Sequence, residues 1–172
     1  MTGGTPMAEV FRLTDDIVEI GPDWLARLKA AADESPLRRA RVCLHRAAQD
    51  TVQEMVIALC QDALFRPHRH RGKTESFHMI EGELDLVIFN ETGTPLRTIR
   101  MGPAGSGKTF CYRLNASLYH ALLPRTPHVV FHETTAGPFV QGDAQLAPWA
   151  PEDAAALRTF IETAMREPVD RE

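Results

Sequence analysis

Residues 66–84 read RPHRHRGKTESFHMIEGEL, and within them His68, His70 and Glu75 are the side chains best able to act together. Two histidines separated by one residue point to the same face when the chain is extended. A short polar stretch, RGKT, follows, and Glu75 then alternates with Phe77 and Met79 in a second extended run. That parity puts its carboxylate on the same interior side, and Gly82 supplies the tight turn that ends the run. Ionisable groups inside a fold must be paired, hydrogen-bonded or bound to metal. A divalent cation meets that demand, because neutral imidazole nitrogen and carboxylate oxygen are ligands that first-row transition metals accept. A fourth ligand is expected from a distant strand, and His120, in LYHALLP with Leu122 on its own face, is the candidate.

Other groups are candidates for the chemistry around such an ion. In HVVFHET, His128 and His132 share a parity, and His132, followed by Glu133, is the better placed of the two to line a cavity. Tyr112 is a candidate acid, base or stacking group, with core packing as its alternative, and the same choice holds for Tyr119. His132 and Tyr112 are therefore the catalytic candidates. Arg39, Arg41, His45 and Glu133 are candidates for binding a substrate: guanidinium grips carboxylate or phosphate with two parallel bonds. A solvated face is the alternative for the arginines and His45. His78 falls on the outward face by parity with Glu75.

A second motif makes a competing offer. GPAGSGKT, residues 102–109, has the spacing of a phosphate-binding loop. That loop needs a helix after it, whose free amides hold the phosphates. FCYRL instead alternates, putting Phe110, Tyr112 and Leu114 on one face of a strand, and the chain beyond Thr109 has room for only about two βαβ units of roughly 30 residues each. The motif reads as a glycine-rich turn between strands.

The elements that must position these groups follow from periodicity. The 172 residues suit one domain with a real core. Nineteen basic and 23 acidic side chains give a net charge of −4 without long runs of either sign, so neither nucleic acid nor a membrane surface is an expected partner. No stretch approaches the roughly 20 apolar residues of a spanning helix, and the first residues lack a leader pattern, so a cytoplasmic protein is expected. Three cysteines without paired spacing fit reduced thiols. DWLARLKAAADE carries apolar residues at helical spacing, with Asp23 as the expected N-cap. RVCLH, QEMVIALC, ELDLVIFN, TPLRTIRM, TFCYRL, HALLP and HVVFHET are short apolar or β-branched runs between turn residues and read as strands. A second helix, beginning near Pro151, closes the chain on a stripe of Leu157, Phe160, Ile161 and Ala164. The expected organisation is an N-terminal arm and helix over 1–40, a β-barrel over 41–147 and a C-terminal helix over 148–172. VFRLTDDIVEI reads as a short strand or edge arm that could pair two copies into a homodimer.

His68, His70, Glu75 and Gly82, spaced His-x-His, four residues, Glu, six residues, Gly, resemble position for position the first metal-binding motif of the cupin superfamily. His120 matches the histidine of its second motif, although Asn115 and Ser117 stand where that motif has Pro and Gly. SPLRRARVCLHRAAQDTVQEMVIAL, RPHRH and HETTAGPF further resemble the WbuC-type cupin metalloproteins, associated with bacterial O-antigen gene clusters. The resemblance covers roughly residues 23–140. It implies an all-β cupin jelly-roll barrel with flanking helices and one divalent metal on His68, His70, Glu75 and His120. Iron or manganese suits the mixed ligand set and zinc or nickel would also fit. It also implies a small-molecule ligand, with a sugar or nucleotide-sugar in surface-polysaccharide biosynthesis as the leading expectation. The reactions in view are isomerisation, epimerisation or dioxygenation. A non-catalytic carbohydrate- or acid-binding module is the alternative, and a metal-independent epimerase with a histidine base is a third reading.

Overall fold

Backbone hydrogen bonding sorts the strands into two facing sheets. The computed structural model describes residues 8–140 and 142–166, so residues 1–7 of the expected arm and 167–172 of the expected C-terminal segment lie outside the described residues. In chain order the elements are β1 (Glu9–Arg12), α1 (Pro22–Glu34), β2 (Arg39–Cys43), β3 (Val52–Cys60), β4 (His68–His70), β5 (Glu75–Glu81), β6 (Leu84–Phe89), β7 (Pro95–Met101), β8 (Cys111–Leu114), β9 (Tyr119–Pro124), β10 (His128–Ala136), β11 (Ala144–Leu146) and α2 (Ala154–Ala164). One sheet has the order β1-β2-β3-β10-β5-β8 and the other β11-β4-β9-β6-β7. The pairings β3 with β10, β4 with β9, β5 with β8 and β6 with β7 are nested and antiparallel, and they alternate between the sheets. The topology is that of one long hairpin rolled so that its successive strand pairs land on opposite layers.

Period-2 alternation then decides what each layer buries. Leu84, Leu86 and Ile88 of β6, Phe77 and Met79 of β5, Leu122 of β9 and Val129 and Phe131 of β10 meet between the sheets. The opposite faces are covered by the helices. Leu28 and Ala32 of α1 pack on Ala40, Val42, Val56, Ala58 and Val130. Leu157, Ile161 and Ala164 of α2 pack on Val87, Phe89, Tyr119, Ala121 and Leu123.

Several local details differ from the sequence reading. The N-cap of α1 is Gly21 rather than Asp23, because Pro22 takes the first helical position, where its fixed φ and missing N–H cost nothing. α2 begins at Ala154, later than Pro151, on Asp153, whose side chain accepts a bond from the Ala156 amide at 2.8 Å. β1 is a parallel edge strand on β2 of its own chain. The short β11, which pairs with β4, has no counterpart in the sequence reading. Gly82 does end β5: its φ is +75°, and a Cβ there would lie 2.2 Å from the His128 carbonyl oxygen.

Candidate functional site

His68 and His70 project from β4 toward the facing sheet, and the backbone register sets His68 directly opposite His120 of β9. Opposite residues on neighbouring strands share a face, so three imidazoles converge. Ring centroids are 4.6 Å apart for His68 and His120, 5.3 Å for His68 and His70, and 6.1 Å for His70 and His120. Their ligand nitrogens lie within 4.8 Å of one another. Glu75 approaches from β5 in the other sheet, 5% exposed, with Oε1 3.2 Å from His120 Nε2 and Oε2 3.9 Å from His70 Nε2.

Hydrogen bonds fix the protons of this cluster. His68 Nδ1 lies 3.1 Å from the Arg66 carbonyl and His120 Nδ1 3.1 Å from the Leu118 carbonyl. A carbonyl only accepts, so each Nδ1 carries the hydrogen and each Nε2 presents a lone pair to the interior. Burial above all, with repulsion from the neighbouring imidazoles, pushes His68 down to about 3 and His120 down to about 4, so both rings are neutral near pH 7. The Tyr112 hydroxyl donates to Glu75 Oε1 at 2.6 Å. The proton stays on Tyr112, because burial and then the Glu75 charge push its pKa far up. A neutral His120 Nε2 and an acceptor-only Glu75 oxygen therefore face each other at 3.2 Å with no hydrogen between them. Two lone pairs at that distance repel unless a cation or an extra proton joins them. The donor set of three imidazoles and one carboxylate, oriented by backbone carbonyls and a tyrosine, fits a divalent metal.

The remaining predicted residues divide by face. Glu133 of β10 lies opposite Phe77 and Met55 and points between the sheets. Burial and then the Glu75 charge push its carboxyl up to about 8, against a smaller pull downward from Arg41. Its side chain nonetheless keeps some contact with solvent. Tyr112 is inward and touches the site, but Phe110, expected on its face, is exposed and precedes β8. His132 corrects the expectation: it lies on the opposite face of β10, across from His78 and Val56, with Nε2 3.6 Å from Glu54. The β-bulge at Val130/Phe131 leaves the alternation of Phe131 and Glu133 inward, so His132 must point out. His45 binds the Glu54 backbone through Nδ1 at 2.9 Å and ties off the β2–β3 connection. Tyr119 faces α2, packing on Trp149 at 5.6 Å with Arg69 above it at 4.5 Å.

The second-motif turn works without Pro and Gly. Asn115 accepts from Arg113 at 2.7 Å, and the Ser117 hydroxyl donates to the His70 carbonyl at 3.1 Å, so Ser117 ties the turn before His120 to the β4 strand. Sequence reasoning missed this role; a hydroxyl replacing Gly in the turn was its only signal. GPAGSGKT is a turn from β7 to β8, closed by a Gly102 amide bond to the Thr109 carbonyl at 3.0 Å. Lys108 is held by Glu83 at 2.6 Å. Among the described residues, no helix is long and apolar enough to cross a membrane.

The profile of a family described as a domain of unknown function, DUF6016, matches residues 20–101, which include His68, His70 and Glu75 but not His120. No curated protein matches the sequence. An X-ray structure of a Shewanella oneidensis protein superposes with a TM-score of 0.55 at 12% identity, covering 73% of this chain and 82% of that one. The Cnp3 cupin domain of Schizosaccharomyces pombe gives a TM-score of 0.45 at 15% identity, over 58% of this chain and 64% of that one. A cupin superfamily protein of Desulfitobacterium hafniense gives 0.44 at 14%, over 57% and 76%. The last two of these proteins are described as cupins.

Proposed function

We propose that the chain is a cupin jelly-roll metalloprotein and a metal-dependent enzyme acting on a small molecule. The single observation behind the metal is the convergence of the His68, His70 and His120 ligand nitrogens within 4.8 Å of one another, with Glu75 Oε1 3.2 Å from His120 Nε2. The nested strand pairing supports the jelly roll, a double-sheet arrangement. His68, His70, His120 and Glu75 would hold a divalent ion, iron or manganese by ligand type, which would supply Lewis-acid chemistry to a substrate oxygen or water.

The chain's own residues favour chemistry over simple capture. Burial raises the Glu133 carboxyl above the usual carboxylate range, and it points between the sheets, where it is the acid available to a substrate. Tyr112 keeps its proton and orients Glu75 through Oε1, so it acts as a positioning residue. A binding module has no need of a protonated carboxyl at such a place. The resemblance to WbuC-type proteins extends the proposal to a sugar or nucleotide-sugar of surface-polysaccharide metabolism.

His70→Ala tests the metal. The variant should lose the bound ion on elemental analysis of protein purified without added metal. Its melting temperature should fall toward that of the chelated parent, because an ion held only by the folded state adds to folding free energy. Equal metal content and an unchanged melt would overturn the proposal. Turnover assays with sugar nucleotides and small acids then address the substrate.

A further inference from the structure

Most partly buried arginines of this protein have an evident partner. Arg38 reaches Asp62 at 2.9 Å, Arg69 pairs with Glu91, and Arg66 sits near the Ala147 and Ala150 carbonyls. Arg39 and Arg41 do not. On β2, Ala40 and Val42 face α1, so the two arginines face inward, opposite Leu59 and Ile57 of the interior core. Among the described residues neither guanidinium has a carboxylate or a hydrogen-bond acceptor in reach, and Arg41 Nε is buried without a partner. One face of Arg39 lies on the Phe65 ring at 4.8 Å, which leaves its N–H edge free.

Two like charges thus stand two residues apart on one strand, at the edge of the interior that holds the histidine cluster. Burial, and then Arg41, make the charge on Arg39 less favourable than in water. Arg41 is felt electrostatically by Glu133, and Glu133 by Glu75, which links the arginines to the cluster residue by residue. A partly buried guanidinium without a counter-ion is costly, and what would offset it is a ligand.

We infer that Arg39 and Arg41 form an oxyanion subsite, which reads a carboxylate or phosphate group of the ligand whose remainder reaches the histidine cluster. The fork of a guanidinium matches either group with two parallel bonds, and the paired forks fix the ligand's orientation. The inference takes the location of the ligand from the proposed site, but it does not depend on the metal.

The test uses the full chain, chelated, in low salt, with inorganic phosphate in one arm and malonate in the other, each titrated against melting temperature. The parent should show a saturable rise in at least one arm; the stronger arm identifies the group. In the double variant Arg39→Met, Arg41→Met the half-saturating concentration should increase at least about tenfold, as loss of charged hydrogen bonds implies. Without anion that variant should melt at or above the parent, since an unpaired charge has been removed. Should the double variant fail to fold, Arg41→Lys, which keeps charge but not the fork, should still weaken the response several-fold. Because the titration is run on chelated protein, a failure of the metal reading leaves this result intact. Absence of a saturable response in both parent arms, or an unchanged response in the arginine variants, would overturn the inference.

Discussion

Glu133→Gln isolates the carboxyl that the site proposal uses as an acid. Burial and the nearby Glu75 raise Glu133 from 4.5 to about 8, so between those values the folded protein keeps a proton that the unfolded chain has released. By linkage, a group that binds more protons when folded costs stability as pH rises through that window. By pH 7 about 2.5 pH units of that window have been crossed, a cost on the order of 3 kcal/mol at 1.36 kcal/mol per unit. Glu133 keeps some contact with water, which screens the effect, and about half of that, roughly 1–2 kcal/mol, is the working expectation. For a chain of this size that is about 3–7 °C in melting temperature. Glutamine has the same shape and no charge, so the chelated variant should match the parent at pH 5 and exceed it by that amount at pH 7. His68 and His120 act with the opposite sign. Their folded values, about 3 and about 4, lie below the unfolded one, so their contribution is complete above about pH 6.5 and fades as pH falls toward 4. They do so in both proteins, and the difference between the two melting profiles leaves Glu133 alone. Parallel profiles from pH 5 to pH 8 would refute the raised pKa and, with it, the assignment of Glu133 as the acid.

Tyr112→Phe should fold but bind metal about 10- to 100-fold more weakly by competition with a chelator, because the 2.6 Å bond that orients Glu75 is lost. Unchanged affinity would mean that Glu75 is positioned by packing alone. Gly82→Ala should destabilise the protein by more than about 1–2 kcal/mol in denaturant unfolding, since a left-handed backbone and a Cβ 2.2 Å from the His128 carbonyl oxygen act together. An unaltered midpoint would show that the β5–β6 turn can shift.

What the sequence made legible depended on whether a local rule carried the information. The inward set His68, His70, Glu75 and His120 follows from two-residue alternation within strands whose apolar neighbours mark the core side, and Leu122 and Phe77 mark it unambiguously. Glycine-rich GPAGSGKT was legible as a turn for the same reason, because the residues after it alternate. His132 was not, since parity within HVVFHET says which residues share a face but not which face is inside; Phe131 and Glu133 took it. The strand β11 escaped because three residues of ordinary composition acquire strand geometry only from the backbone of β4 that they complete. Arg39 and Arg41 are the instructive case. A sequence with two arginines flanking an alanine offers a solvated face as the default reading. Here Ala40 and Val42 are taken by α1, so the arginines are forced into the interior without partners. Alternation fixed their common side, and only the helix packed behind β2 fixed which side that was. A long-range contact, absent from any window of the sequence, is therefore what turns a plain charge pair into the proposed subsite, and the arginine variants test that contact as much as the chemistry proposed for it.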